Sequence, residues 1–409
     1  MREELLFREF TEELFKKIDI SPSQYEKAVS HYKAVSICLT DGDVADDIYV
    51  QGSFAYGTVI RPFKKGIDAD FDIDLVGQKT IEKSGITPEN LKTKVRECIE
   101  ASPNHANLLS KDEGKRCWTL NYAEKDGIGF HMDVLPCVNE SSELISSIIN
   151  SNVPVEYANT AIALTNKDKT TGIYSWVSGN ARGLAKWFYD INLPYLAPVS
   201  IYQRESLVNE GIYASIEQVP DMVLRSPLQR VIQLLKRHRD CRFDMMENEN
   251  DKPISIIITI LTASIAKQQA IYNSTVYELL MAVATELSRF SALLQEDYEK
   301  HAWNSGASLL IRNKDGWIIQ NPVNPFENFA ERWAENNNAK AKAFFQWVRW
   351  VSSDLLFDNH KSGEHFNVLR ESFGDTVVKE LYSALDLNPK STPSLITRTN
   401  NSPKPYRSP

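Results

Sequence analysis

DADFDIDLV (Asp68–Val76) sets four aspartates, Asp68, Asp70, Asp72 and Asp74, at every second position. Alternate residues of a β-strand share a face. Phe71, Ile73 and Leu75 then supply an apolar face, and Asp72 and Asp74 project together from the other. Two carboxylates side by side repel unless a cation lies between them, and a hard divalent ion takes oxygen ligands of this kind. A calcium loop starting at Asp70 is excluded, because it needs glycine and glutamate where Leu75 and Ile81 stand. Two readings stay open on this stretch alone. One is a solvated acidic strand face. The other is a catalytic metal site, which requires a third carboxylate on a neighbouring strand and a phosphate cradle nearby.

Both are found in the flanking sequence. In GFHMDVLP (Gly129–Pro136), Phe130, Met132 and Val134 take one face, and His131 and Asp133 take the other. Metal chemistry built on carboxylates does not require a histidine, so His131 is read as structural. Upstream, VQGSFAYGTVI (Val50–Ile60) interrupts an apolar run with Gly52, Ser53 and Gly57. Glycine lets the backbone come close to a phosphate, and exposed amides with the Ser53 hydroxyl donate hydrogen bonds to it.

The bulk properties agree with a small polyanionic ligand. A chain of 409 residues is long for one core, and two lobes are expected. With 42% hydrophobic and 24% charged residues it reads as a soluble globular protein. No apolar run is long enough to span a membrane. The opening MREELLFREF lacks the pattern of a signal peptide, so a cytoplasmic location is expected. Cys38, Cys98, Cys117, Cys137 and Cys241 are scattered and form no CxxC pair, so they read as free thiols and no zinc site is expected. A formal net charge of −8 argues against a partner such as duplex DNA.

Helices are expected over residues 3–18 and 21–39, the second opened by Ser21 with Gln24 three residues on. From Ile48 the hydrophobic period changes to two. DIYVQGSF, FDIDLV, KRCWTLNY and GFHMDVLPCV read as strands, PVEYANTAIALT as a weaker fifth, and TPENLKTKVRECIEA as a helix opened by Thr87 and Pro88. After about Gly179 the pattern is helical. NARGLAKWFYDI is one helix, residues 194–222 with Pro194, Pro198 and Pro220 read as a long connection, and a helix is expected from Asn328 to about Leu356. The tail is rich in Pro, Ser and Asn and reads as disordered. The fold class is α+β: a sheet lobe with N-terminal helices over residues 1–190, a helical lobe over 191–387 and a tail over 388–409.

Gly-Ser, then DxD on one strand, then a lone Asp on a later strand resembles the DNA polymerase β-like nucleotidyltransferases. The wording QGSFAYGTVIRP, FDIDLV, FHMDVLP is similar to one branch of them, the bacterial cGAS/DncV-like enzymes (CD-NTases), which are second-messenger oligonucleotide or dinucleotide synthetases. The resemblance runs over most of residues 1 to about 385 in motifs. It implies a mixed sheet flanked by helices, an all-helical lobe and an active site in the cleft between them. It further implies cyclic di- or trinucleotide synthesis from nucleoside triphosphates in anti-phage (CBASS) signalling. Two Mg²⁺ ions, replaceable by Mn²⁺, would be held by Asp72, Asp74 and Asp133. A separate effector would sense the product, and there is room for regulatory partner proteins.

For the triphosphate, the family's lysine and serine fall on Lys236, at the edge of the Leu228, Val231, Ile232, Leu235 stripe, and on Ser255 near a helix start. Arg230 and Arg237 lie on the other side of that stripe and are expected to be solvated. Tyr56 could stack on a base or sit in the core. Gln51 could reach the nucleotide through its amide. Asn328, in NPVNPFENFAERW, lies in a segment resembling one that lines the family's cleft, with helix capping as its alternative role. The family's animal DNA sensor carries a Cys/His zinc insertion that has no counterpart here. The competing reading is a linear-product nucleotidyltransferase of the same fold; a nucleotide-binding protein without activity is disfavoured by the intact carboxylates.

Overall fold

A computed structural model describes residues 2–123, 129–209, 215–216, 223–244, 246–294, 309–314, 316–356 and 365–385. The expected tail lies outside them. Helices α1 (Arg2–Ile18) and α2 (Pro22–Asp41) come first, followed by β1 (Asp47–Gln51) and the single turn α3 (Gly52–Tyr56). A small hairpin, β2 (Phe63–Lys64) and β3 (Ile67–Asp68), leads into β4 (Phe71–Lys79). Next come α4 (Pro88–Ala101), β5 (Trp118–Tyr122), β6 (Phe130–Asn139), α5 (Ser142–Asn150), α6 (Val155–Ala158), β7 (Ile162–Lys167) and β8 (Tyr174–Gly179). The main sheet runs β1-β4-β6-β7-β8, with β5 also on β6. All its pairs are antiparallel except β4 with β6, so the sheet is mixed.

The aspartate strand behaves as its period demands. Phe71, Ile73 and Leu75 are buried, with α2 and α4 packed over that face. Both helices carry the expected starts: Ser21 and Gln24 form a capping box on α2, and the Thr87 hydroxyl caps α4. The PVEYANTAIALT segment divides into α6 and β7, and β8 is a further strand that the sequence reading lacks.

The second half is built from α7 (Ala181–Asn209), α8 (Pro227–Phe243), α9 (Ser255–Gln269), α10 (Val276–Arg289) and a helix over Glu335–Leu355. Here the expected connection from residue 194 is corrected, because α7 continues through Pro194 and Pro198 to Asn209. Leu184, Trp187, Phe188, Ile191 and Tyr195 are buried along one stripe, and the Tyr195 hydroxyl donates to the Ala266 carbonyl. That packing reaches one residue past Pro194, and beyond Pro198 the helix is tied by the Gln203 amide group, which donates to the Arg225 carbonyl and accepts from the Arg225 amide. The helix expected from Asn328 starts later, after the hairpins β9 (Ile311–Asn313)/β10 (Gly316–Ile318) and β11 (Gln320–Asn321)/β12 (Asn324–Asn328), and its first residues include a left-handed kink at Asn336, Asn337 and Asn338. Phe7, Phe10, Leu14 and Ile18 of α1 join the same core as α8, α9, α10 and the last helices. No helix among the described residues is long and apolar enough to cross a membrane.

Candidate active site

The parallel pairing of β4 with β6 places Asp74 opposite Asp133 and Asp72 opposite His131. On its other edge β4 meets the end of β1, where Gln51 is the register partner of Asp74. Burial, reinforced by the charges of Asp133 and Asp72, pushes the Asp74 carboxyl up to about 7, and Lys236 opposes this. Asp133 is half-buried and accepts from the Thr119 hydroxyl at 2.5 Å, across the β5–β6 register pair Thr119 and Asp133. Asp72 is exposed, 3.4 Å from His131 Nδ1, and that contact raises the His131 imidazole above its ordinary value. His131 is thus paired with Asp72 on the polar face of the two strands.

Gly52 follows β1 directly. Its φ is +64°, and a Cβ there would lie 2.5 Å from Asp74 Oδ2. Both the backbone conformation and the approach of the carboxylate therefore demand glycine. Gln51 and Ser53 are half-buried on either side of it, and the Ser53 carbonyl ends the turn by accepting from the Thr58 amide. Helix α8 holds the segment that follows. Gln229 Nε2 donates to the Tyr56 carbonyl, Lys236 Nζ to that of Thr58 and Gln233 Nε2 to that of Val59, each at 2.8 Å. Arg237 Nη1 donates to the Arg61 carbonyl at 3.2 Å. Residues 229, 233, 236 and 237 lie on one face of a helix, and that face is a ladder grasping the turn. Gln229, Gln233 and Thr119 were not singled out from the sequence. The glutamines' i, i+4 spacing ahead of Lys236 was the available signal for two of them.

Lys236 is 4% exposed, and burial together with Arg239 pushes its amine down to about 7 against the opposing charges of Asp240, Asp72 and Asp74. Ser255 is the first residue of α9, and its Oγ accepts from Arg239 Nη1 at 3.0 Å. Three expectations need correction. Tyr56 is 4% exposed with its ring against Phe188, so it is a core residue, not a base platform. Asn328 Oδ1 accepts from the Ile319 and Ala330 amides, and its Nδ2 donates to the Trp317 carbonyl. Its side chain is thus a clamp between β12 and its neighbours. Arg237 is fully buried in an ion pair with Asp68 at 2.7 Å, while Arg230 is half-buried against Asp19 and over the Phe15 ring.

Among the described residues no three His, Cys, Asp or Glu side chains form a preassembled metal cage. The donor set still fits a hard divalent cation, because carboxylates stand at adjacent register positions of two paired strands and the charges of Asp133 and Asp72 add to burial in raising the Asp74 carboxyl. Divalent cations are the groups that relieve such a cluster. Carboxylates on two paired strands, a glycine turn against one of them and a lysine behind that turn are the parts needed for transfer at a phosphate.

Residues 47–136 match the family described as "Cyclic GMP-AMP synthase DncV-like, nucleotidyltransferase domain". The c-di-GMP synthase of Roseivirga ehrenbergii is 24% identical over 322 residues, 78% of this chain and 70% of that protein. The fold is similar to the Bradyrhizobium diazoefficiens CD-NTase CdnG solved in complex with GTP, with TM-score 0.63, 20% identity, and coverage of 92% of this chain and 98% of that one. It is also similar to the Vibrio cholerae DncV cyclic AMP-GMP synthase in complex with the linear intermediate 5′ pppA(3′,5′)pG, with TM-score 0.56, 14% identity, and coverage of 90% and 94%. Fold and domain define a nucleotidyltransferase. Within that class the DncV-like match covers residues 47–136, and the fold of the chain is similar to those of the CD-NTases.

Proposed function

We propose that this protein is a cyclic oligonucleotide synthase that makes a cyclic di- or trinucleotide from nucleoside triphosphates and releases pyrophosphate. The observation that carries the reading is the registered pair Asp74 and Asp133, with Gly52 closed against Asp74. The c-di-GMP synthase relative, the GTP complex of CdnG and the linear intermediate bound by DncV support a cyclic product and make guanine nucleotides the first substrates to test.

The ribose hydroxyl of one nucleotide attacks the α-phosphorus of another. A new P–O bond forms, the bond to the β-phosphate breaks, and pyrophosphate leaves. Asp133 takes the hydroxyl proton on its way to solvent. A second attack within the re-docked linear product closes the ring. Asp72, Asp74 and Asp133 would hold two Mg²⁺ ions, or Mn²⁺, which when bound supply charge neutralisation at the attacking and leaving oxygens. Gly52 and Ser53 hold the donor phosphates by amide and hydroxyl donors. Lys236 and Ser255 grip the same triphosphate from the helical side, and Gln51 contacts the nucleotide. In the cell the product would act on a separate effector in anti-phage signalling, with regulatory proteins acting on the enzyme.

The test is to incubate purified protein with Mg²⁺ or Mn²⁺ and all four labelled nucleoside triphosphates, treat the products with phosphatase, and weigh them. A phosphatase-resistant species at the mass of a cyclic di- or trinucleotide is the expected result. Products that phosphatase degrades would make the enzyme a linear-product transferase. Activity retained in EDTA would remove the metal assignment.

A further inference from the structure

Arg239 lies beside Lys236 on α8, and its guanidinium is almost entirely committed. Nε and Nη2 meet Asp240 Oδ1 at 2.9 and 2.8 Å. The two hydrogens of Nη1 go to the Pro253 carbonyl at 2.9 Å and to Ser255 Oγ at 3.0 Å. Arg239 is 6% exposed and Asp240 2%, and Lys252 Nζ reaches the same Asp240 oxygen at 3.1 Å. The network is buried, charge-paired and anchored on both sides of the entrance to α9.

Its chemistry has a direction. Arginine only donates, so Ser255 Oγ can only accept from it. The serine proton must then go to some other acceptor, and no described residue takes it. That O–H is open to solvent or to a bound oxygen acceptor, and the phosphate oxygens of a nucleotide are acceptors of this kind.

We propose that Arg239 is a positioning residue for nucleotide binding: it occupies a lone pair of Ser255 and thereby makes the serine hydroxyl an obligatory donor to the triphosphate. Arg239 itself touches no substrate. This rests on the assignment of Ser255 to the triphosphate under the proposed function.

The test is calorimetric titration of the Mg²⁺-loaded wild type and of S255A, R239M, R239K and S255A/R239M with a non-hydrolysable α,β-methylene nucleoside triphosphate and with the plain nucleoside. A hydrogen bond to a charged group makes the loss about tenfold in Kd. S255A and R239M are each expected to show it for the triphosphate, with no further loss in the double variant and no change for the nucleoside. R239K keeps the charge beside Asp240 but lacks the fork. It is expected to show the same loss and carries the test should R239M fail to fold. Additive losses, equal weakening of nucleoside and triphosphate, or arginine variants that bind like wild type while S255A is weakened would each make Arg239 only a structural staple. An S255A variant binding as well as wild type would overturn the assignment of Ser255, and the proposal with it.

Discussion

Asp74 works against the stability of its own fold. Its carboxyl is pushed up to about 7, mainly by burial. Between the unfolded value near 4 and that value, the folded chain holds more protons than the unfolded chain, so this group's contribution to stability falls as pH rises and its cost is complete above about 7. Asp74→Asn is therefore expected to raise the metal-free melting temperature at pH 8, to change it little at pH 4, and to abolish turnover at both. Paired calorimetric scans check this, and a lower melting temperature at pH 8 would contradict it. Gly52→Ala places a methyl against the Asp74 carboxylate in a left-handed conformation that alone costs ~1–2 kcal/mol. A lowered urea midpoint together with lost activity is expected. These residues could be read from the sequence because strand period and turn chemistry are local properties. Tyr56, Asn328 and Arg237 could not, because what surrounds each arrives from elsewhere in the chain: Phe188, Trp317 and Asp68 respectively.

At the scale of elements, the turn after β1 and helix α8 act as one unit. Gln229 and Gln233 each spend an amide on a carbonyl of the turn. A bond of this kind contributes ~1 kcal/mol. The Gln229→Ala/Gln233→Ala variant should lose ~2 kcal/mol of stability in urea and show a raised KM for nucleoside triphosphate, with a smaller change in kcat. An unchanged KM would detach the ladder from substrate binding. Helix α8 was recognisable from its apolar stripe, whereas the reach of α7 was not. Two prolines read locally as a break, whereas the buried stripe from Leu184 to Tyr195 and the pairing of Gln203 with the Arg225 backbone come from elsewhere in the chain.

Over the whole molecule, the Arg237–Asp68 pair fastens the helical half to the hairpin that feeds the catalytic strand. Arg237 is fully buried and also donates to the carbonyls of Arg61 and Phe373. Asp68→Asn leaves that cation without its counterion, a loss of ~3–5 kcal/mol. A lower urea midpoint is the expected readout, and an unchanged midpoint would show that the ring of Phe63 under the guanidinium suffices. The sequence conveys two halves in order, but not that α1 is finished by helices more than 300 residues later, such as Phe10 against Phe373. This has a consequence during synthesis. All three aspartates leave the ribosome long before Lys236 and Ser255, and the partners of α1 are translated last. A prematurely terminated or clipped chain carries its carboxylates without the lysine, the serine or a completed first helix. Under the proposed function, chains stopped before α8 are therefore expected to be inactive, and chains stopped before Phe373 to leave Phe10 of α1 without that partner.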